Sequence, residues 1–110
     1  KHFMPEKLRK EESWKTWRES FLDYCELTIP GMRRELERAR VEKEEITSSY
    51  FDADAFMWGL RQQLYMFLKQ YTEGVPHQIV EVVRDHNGWE AFRQLQLQCE
   101  PAYRCAAAEH

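Results

Sequence analysis

Trp14, Trp17, Phe21, Tyr24 and Thr28 follow one another at intervals of 3, 4, 3 and 4 residues, and that spacing leaves little choice of fold. Residues so spaced share one face of an α-helix. Four aromatic rings on one face need a core to cover them, since burying each is worth roughly 1.5–3 kcal/mol. Ser13 stands where an N-cap is wanted, so a helix is predicted from there to about Thr28.

The same rule carries along the chain. Pro30-Gly31 breaks it, and a second helix is predicted from Met32 to about Glu45. This segment is thin in apolar residues (Met32, Leu36, Ala39, Val41) and alternates in charge, with Arg33, Arg34, Arg38, Arg40 and Lys43 set against Glu35, Glu37, Glu42, Glu44 and Glu45. It reads as a solvated helix anchored by a narrow stripe. Ile46 to Phe51 reads as a loop. Asp52 or Asp54 then caps a central helix to about Thr72, whose stripe is Phe56, Leu60, Leu64, Phe67 and Tyr71, widened by Met57 and Leu68. Trp58 and Tyr65 fall off that stripe, which implies burial on two sides or one buried side and one protein interface.

Gly74 ends that helix, and Pro76 opens a short one to about Asp85 that offers Ile79, Val80 and Val83. Asn87-Gly88 makes a turn, after which Trp89, Phe92, Leu95 and Cys99 mark a last helix closed by Pro101. Alternation of period two is nowhere sustained. The prediction is an all-α, compact five-helix bundle.

A chain of 110 residues supports one such domain. It is expected to span residues 1–104, with an arm over 1–12 that packs through Phe3, Met4 and Leu8, while 105–110, ending Ala106-Ala107-Ala108-Glu109-His110, reads as a vector-derived tail. No apolar run reaches membrane length, so no membrane partner is expected. Cys25, Cys99 and Cys105 are odd in number and irregular in spacing, which favours core thiols in a reducing, intracellular, cytoplasmic setting over a disulfide framework.

No catalytic, cofactor-binding or metal-ligating set emerges. Glycines are single, so nothing cradles phosphate. His77 and His86 lie nine residues apart, too far for one helical face, and Cys99, Cys105 and His110 do not match a zinc knuckle. The net charge of −3 argues against a general attraction to nucleic acid, leaving a row of Lys7, Arg9, Lys10, Lys15 and Arg18 as the local RNA-binding candidate.

Three segments recur together: Trp14, Trp17 and Phe21; then Tyr71 with Gly74; then Gly88, Ala91, Phe92, Arg93, Leu95 and Pro101. In this order and spacing they resemble the Gag polyprotein of LTR retrotransposons, in the N-terminal lobe of its capsid region, over about Phe3 to Tyr103. Cys99 departs from the pattern, standing where an aromatic is common before the closing proline.

The resemblance implies a retroviral or retrotransposon capsid-lobe-like fold and a structural function: self-association into virus-like particles that package the element's RNA. The homo-oligomer would form in the full-length protein, with RNA held mainly by regions absent from this chain. The expected interface draws on the first two helices, with Arg33, Arg34 and Arg38 as candidates, and on Trp58 and Tyr65. The alternative implied is a host-adopted, capsid-like adapter that binds a peptide or protein partner in a groove between helices, lined by Phe3, Trp58 and Tyr65.

Overall fold

The computed structural model describes residues 5–10 and 12–100, so Phe3, Met4, Pro101, Cys105 and the tail lie outside the described residues. Its helices are α1 (Trp14–Thr28), α2 (Met32–Arg40), α3 (Ala55–Gly59), α4 (Arg61–Gln70), α5 (Val75–Glu81) and α6 (Gly88–Cys99), with 3-10 turns at Ser48–Phe51 and Arg84–His86. Leu60, between α3 and α4, keeps right-handed angles (φ −68, ψ −10). The pair is therefore one helix interrupted for a single residue, and the chain is the five-segment all-α bundle that its periodicity predicts. The described residues contain no strand beyond an isolated parallel β-bridge between Leu8 and Thr72. Among them, no helix is long and apolar enough to cross a membrane.

The aromatic stripe of α1 turns inward as expected. Trp14 stacks on Trp17 at 5.7 Å and Trp17 on Phe21 at 4.9 Å, while Phe92 of α6 meets Trp14 at 5.6 Å and Phe21 at 5.9 Å. The stripe ends before Thr28, which is exposed and returns its hydroxyl to the Tyr24 carbonyl at 2.9 Å. Where α1 passes α6, the indole N–H of Trp14 donates to Gln96 Oε1 at 2.7 Å. The same oxygen accepts Arg18 Nη1 at 3.2 Å and Arg40 Nη1 at 3.1 Å, so α1, α2 and α6 meet on one amide.

Short links fix the remaining helices. Ser13 caps α1 through Thr16 N–H at 3.2 Å. Gly31 takes φ +97 at the start of α2 and has no side chain to cap it. The Glu26 carboxylate of α1 does so instead, accepting Gly31 and Arg33 N–H groups at 3.0 Å, an anion at a helix N-terminus. Gly88 opens α6 directly against α4: a Cβ there would lie 2.4 Å from Tyr65 N and 2.6 Å from Leu64 Cβ.

Four expectations are corrected. The helix read to Glu45 stops at Arg40, leaving Val41 62% exposed. Phe56, placed in the central stripe, is 66% exposed. The Leu60 amide is shared between the Phe56 and Met57 carbonyls, 3.1 and 3.2 Å away. That tightening toward 3-10 geometry breaks the register by which the α4 stripe would extend back to Phe56. The stretch 46–51, read as a loop, holds a 3-10 turn and buries Ile46 and Phe51. The helix expected to run to Asp85, α5, ends at Glu81: Val83 turns extended (φ −75, ψ 133), and Asp85 and His86 then adopt positive φ (62 and 48).

Candidate partner interface

Arg33, Arg34 and Arg38 sit on one nine-residue helix but do three different things. Arg33 faces α1, where its guanidinium pairs with Glu19 and, at 2.8 Å, with Asp23. The Glu19 hydrogen bond and the charges of Glu19 and Asp23 raise its pKa above the ordinary arginine value, against the opposing effect of burial. Arg33 is thus a tie between α1 and α2. Arg34 is exposed and has no ion-pair partner among the described residues. Arg38 pairs with Glu35 one turn away at 3.0 Å and lies over the Tyr50 ring at 5.2 Å.

From Tyr50 a row of rings leads to Trp58. Tyr50 meets Phe51 edge-on at 4.9 Å, Phe51 meets Trp58 at 6.2 Å, and Arg61 covers Trp58 at 4.6 Å. Two of the sequence candidates, Arg38 and Trp58, therefore stand near the ends of one cation–aromatic row that passes through the buried Phe51 between the half-buried Tyr50 and Trp58. Cation–π contacts of this kind contribute on the order of 0.5–1 kcal/mol when exposed. The residues that join them, Tyr50 and Phe51, were missed because they fall in the stretch read as a loop. Two adjacent aromatics before an Asp cap were the available signal.

Tyr65 is not on that surface. It is buried, stacks on His86 at 4.9 Å, and donates its hydroxyl to the Glu81 carbonyl at 3.4 Å. Of the two readings open for it, burial on both sides of the helix is the one observed. The groove expected from Phe3, Trp58 and Tyr65 is not formed by the two that are described: Tyr65 is interior and Arg61 caps the Trp58 ring.

The basic row is also dispersed. Arg9 pairs with Glu73 at 3.2 Å and with Glu12 at 3.6 Å, and Arg18 is buried against Gln96 and Glu19. Lys7, Lys10 and Lys15 remain exposed. Such neutralisation leaves few cations to release counterions from a phosphate backbone.

The remaining chemistry is structural. Burial pushes the Cys25 thiol up to about 12, which keeps it protonated and poorly nucleophilic. Among the described residues no group of three or more His, Cys, Asp or Glu is arranged to hold a metal ion. A notch between α1 and α4, lined by Cys25, Ile29, Met32, Leu64 and Phe67, is about 10 Å³, room for one water at most. Two open clefts of about 440 and 460 Å³ flank α6 and share Arg93.

Exposed apolar side chains are what the outer surface adds. Leu27 closes α1, Phe56 and Met66 lie on α3 and α4, and Val75 and Val82 bracket α5. They are contributed by several different helices. No family model, curated protein or solved structure matches the chain.

Proposed function

We propose that this chain is a structural domain of the capsid type, similar to the N-terminal lobe of LTR-retrotransposon Gag polyproteins, and that it works by associating with copies of itself. One observation carries the reading: apart from the exposed Gly74, the described residues of the resemblance are spent on the interior. Gly88, Ala91, Phe92 and Leu95 are buried, and Arg93 secures a neighbouring loop. A motif used in this way specifies a scaffold and leaves its outer faces to act.

The outer surface carries exposed apolar residues on several helices and an exposed Arg34, suited to several weak contacts. Head-to-tail contacts close into rings or extend into lattices, and repetition makes feeble contacts stable. RNA packaging would then belong to other regions of the longer polypeptide.

Sedimentation velocity of the chain over a concentration series, with negative-stain microscopy of the longer polypeptide that carries it, tests the proposal. Concentration-dependent oligomers and closed particles are expected. A chain that stays monomeric to about 1 mM, the scale of local concentrations in linked assemblies, with no particles from the longer polypeptide, overturns it.

A further inference from the structure

The N-terminal arm is held largely through its backbone. Leu8 N–H donates to the Tyr71 carbonyl at 2.7 Å, Glu73 N–H donates to the Leu8 carbonyl at 2.9 Å, and the Trp17 indole N–H donates to the Glu6 carbonyl. The first two bonds close the parallel bridge of Leu8 with Thr72. Side chains add an apolar anchor and an ion pair: Leu8 is 1% exposed, Pro5 is buried, and Arg9 reaches Glu73 at 3.2 Å.

On the receiving side, Tyr71 directly follows α4, and its carbonyl is one that a helix end leaves without an intrahelical partner. Thr72 returns its hydroxyl to the Leu68 carbonyl at 2.6 Å and so is already satisfied. The end of α4 is therefore a strand edge one bridge long. It takes an extended segment with an apolar residue at the Leu8 place and a cation after it, the logic of strand addition.

None of these contacts depends on which chain supplies the segment, and every copy carries the same arm. Only residues 10–13 separate the arm from α1. Exchange of an identical element between subunits preserves all of its contacts and is a low-cost route to association. We propose that the seat at the end of α4 accepts residues 5–9 of a second copy, so that neighbouring subunits are tied by exchanged arms. The inference rests on the self-association reading and names one contact within it.

A short tether gives the chain's own arm an effective concentration on the order of 1 mM. Dilute protein therefore keeps its arm at home, and exchange begins when neighbours are crowded to similar concentration. Arm exchange would couple assembly to crowding without any new surface.

The test mixes two singly substituted chains, Arg9→Cys and Glu73→Cys, each also carrying Cys99→Ser and Cys105→Ser. Cys25 is buried and is left in place. The mixture, at about 1 mM to match the effective concentration of the tethered arm, is oxidised and read on a non-reducing gel with mass spectrometry of the linked peptides. A disulfide joining position 9 of one chain to position 73 of the other is expected, and Leu8→Asp in the Arg9→Cys chain should abolish it. The doubly substituted chain at low concentration should close the same disulfide within one molecule, showing that the seat is formed. If it closes but the mixture yields no link between chains, arm exchange is overturned. Oligomers by sedimentation under those conditions would leave self-association standing through other faces; their absence would overturn both.

Discussion

Glu42 and Ile46 are four residues apart, the separation of a helical hydrogen bond, yet they do not bond to each other. The Glu42 carbonyl accepts Arg93 Nη1 at 3.2 Å, and the Ile46 N–H donates to Glu90 Oε1 at 2.9 Å. Glu90 and Arg93 are themselves joined by two bonds of 2.9 and 3.0 Å, and Asn87 Nδ2 donates to the Ile46 carbonyl at 2.9 Å. Side chains of α6 and of its cap Asn87 thus hold the segment that follows α2, whose last helical residue is Arg40. Breaking one side of a buried pair leaves an uncompensated charge, so Arg93→Ala should cost about 3 kcal/mol in denaturant unfolding. The Ile46 amide should exchange slowly in the native protein and markedly faster in Glu90→Ala. Equal exchange rates in the two would refute this account of how the segment after α2 is held.

The same network sets an acid dependence. Burial pushes the Glu90 pKa up, but hydrogen bonds from Arg93, Gln94 and the Ile46 amide outweigh it and hold the carboxyl below its ordinary value. Glu19, bonded to Arg33, and Glu26, bonded to the Gly31 amide, are lowered as well. A carboxylate whose folded pKa lies below the unfolded value contributes in full above that unfolded value, roughly 4.3 for glutamate, and loses the contribution as pH falls through the folded pKa. Unfolding free energy should therefore be flat from pH 7 to about 5 and fall below about 4.3. In Glu90→Gln the fall should be shallower, from a lower plateau at neutral pH. An unchanged acid slope in that variant would remove Glu90 from the explanation.

Gly88 gives a steric prediction. A methyl group there would meet the backbone N of Tyr65 at 2.4 Å and the carbonyl carbon of Leu64 at 2.7 Å, atoms that cannot swing aside as a flexible side chain can. Overpacking costs typically about 1–3 kcal/mol, and contact with backbone puts this site at the upper end. Gly88→Ala should lower the thermal midpoint by many degrees or prevent folding, despite the higher helix propensity of alanine. A variant as stable as the parent would mean that α6 does not approach the α4 backbone so closely.

This close approach also shows where the sequence is legible and where it is not. The 3-4-3 aromatic spacing of α1 and the apolar spacing of α6 report their buried faces directly, since each needs only its own helix to be read. The path of the chain after α2 does not, because it is held by Glu90 and Arg93, more than forty residues away in the chain. Asn87 followed by Glu90 carried a hint, being the residue pair of a capping box. Asn87 does accept the Glu90 N–H at 3.2 Å, but the Glu90 side chain turns to Ile46 instead of returning to its own cap. Arg33 and Arg34 were likewise indistinguishable as adjacent cations until the position of α1 separated them. The Leu8 bridge leaves no periodic trace, since a single bridge has no repeat.

Ala53 offers a gain instead of a loss. It has φ +68 in the turn before α3, following Asp52 at φ +48. The left-handed region costs an L-residue roughly 1–2 kcal/mol, which glycine avoids. Glycine gives back about 0.4–1 kcal/mol through the greater freedom of the unfolded chain. Ala53→Gly should therefore be stabilising by about 0.5–1 kcal/mol, visible as a higher denaturant midpoint with unchanged slope. A lower midpoint would show that the turn is not strained.

The arginines of α2 separate folding from association. Arg33 is tied to Glu19 and Asp23, so Arg33→Glu replaces two ion pairs with a like-charge cluster between α1 and α2. Partly exposed pairs are worth about 0.2–1 kcal/mol each, so the variant should lose about 1–2 kcal/mol once repulsion is included. Arg34 is exposed and pairs with nothing among the described residues, and Arg34→Glu should change stability by less than about 0.5 kcal/mol. If the outer face of α2 meets a second copy, Arg34→Glu will shift the concentration dependence of sedimentation while leaving the unfolding curve in place. Arg33→Glu will move the unfolding curve whether or not association changes. Sedimentation of Arg34→Glu that overlays the parent would take α2 out of the interface and return the search to α1 and α4, where Leu27 and Met66 stand exposed.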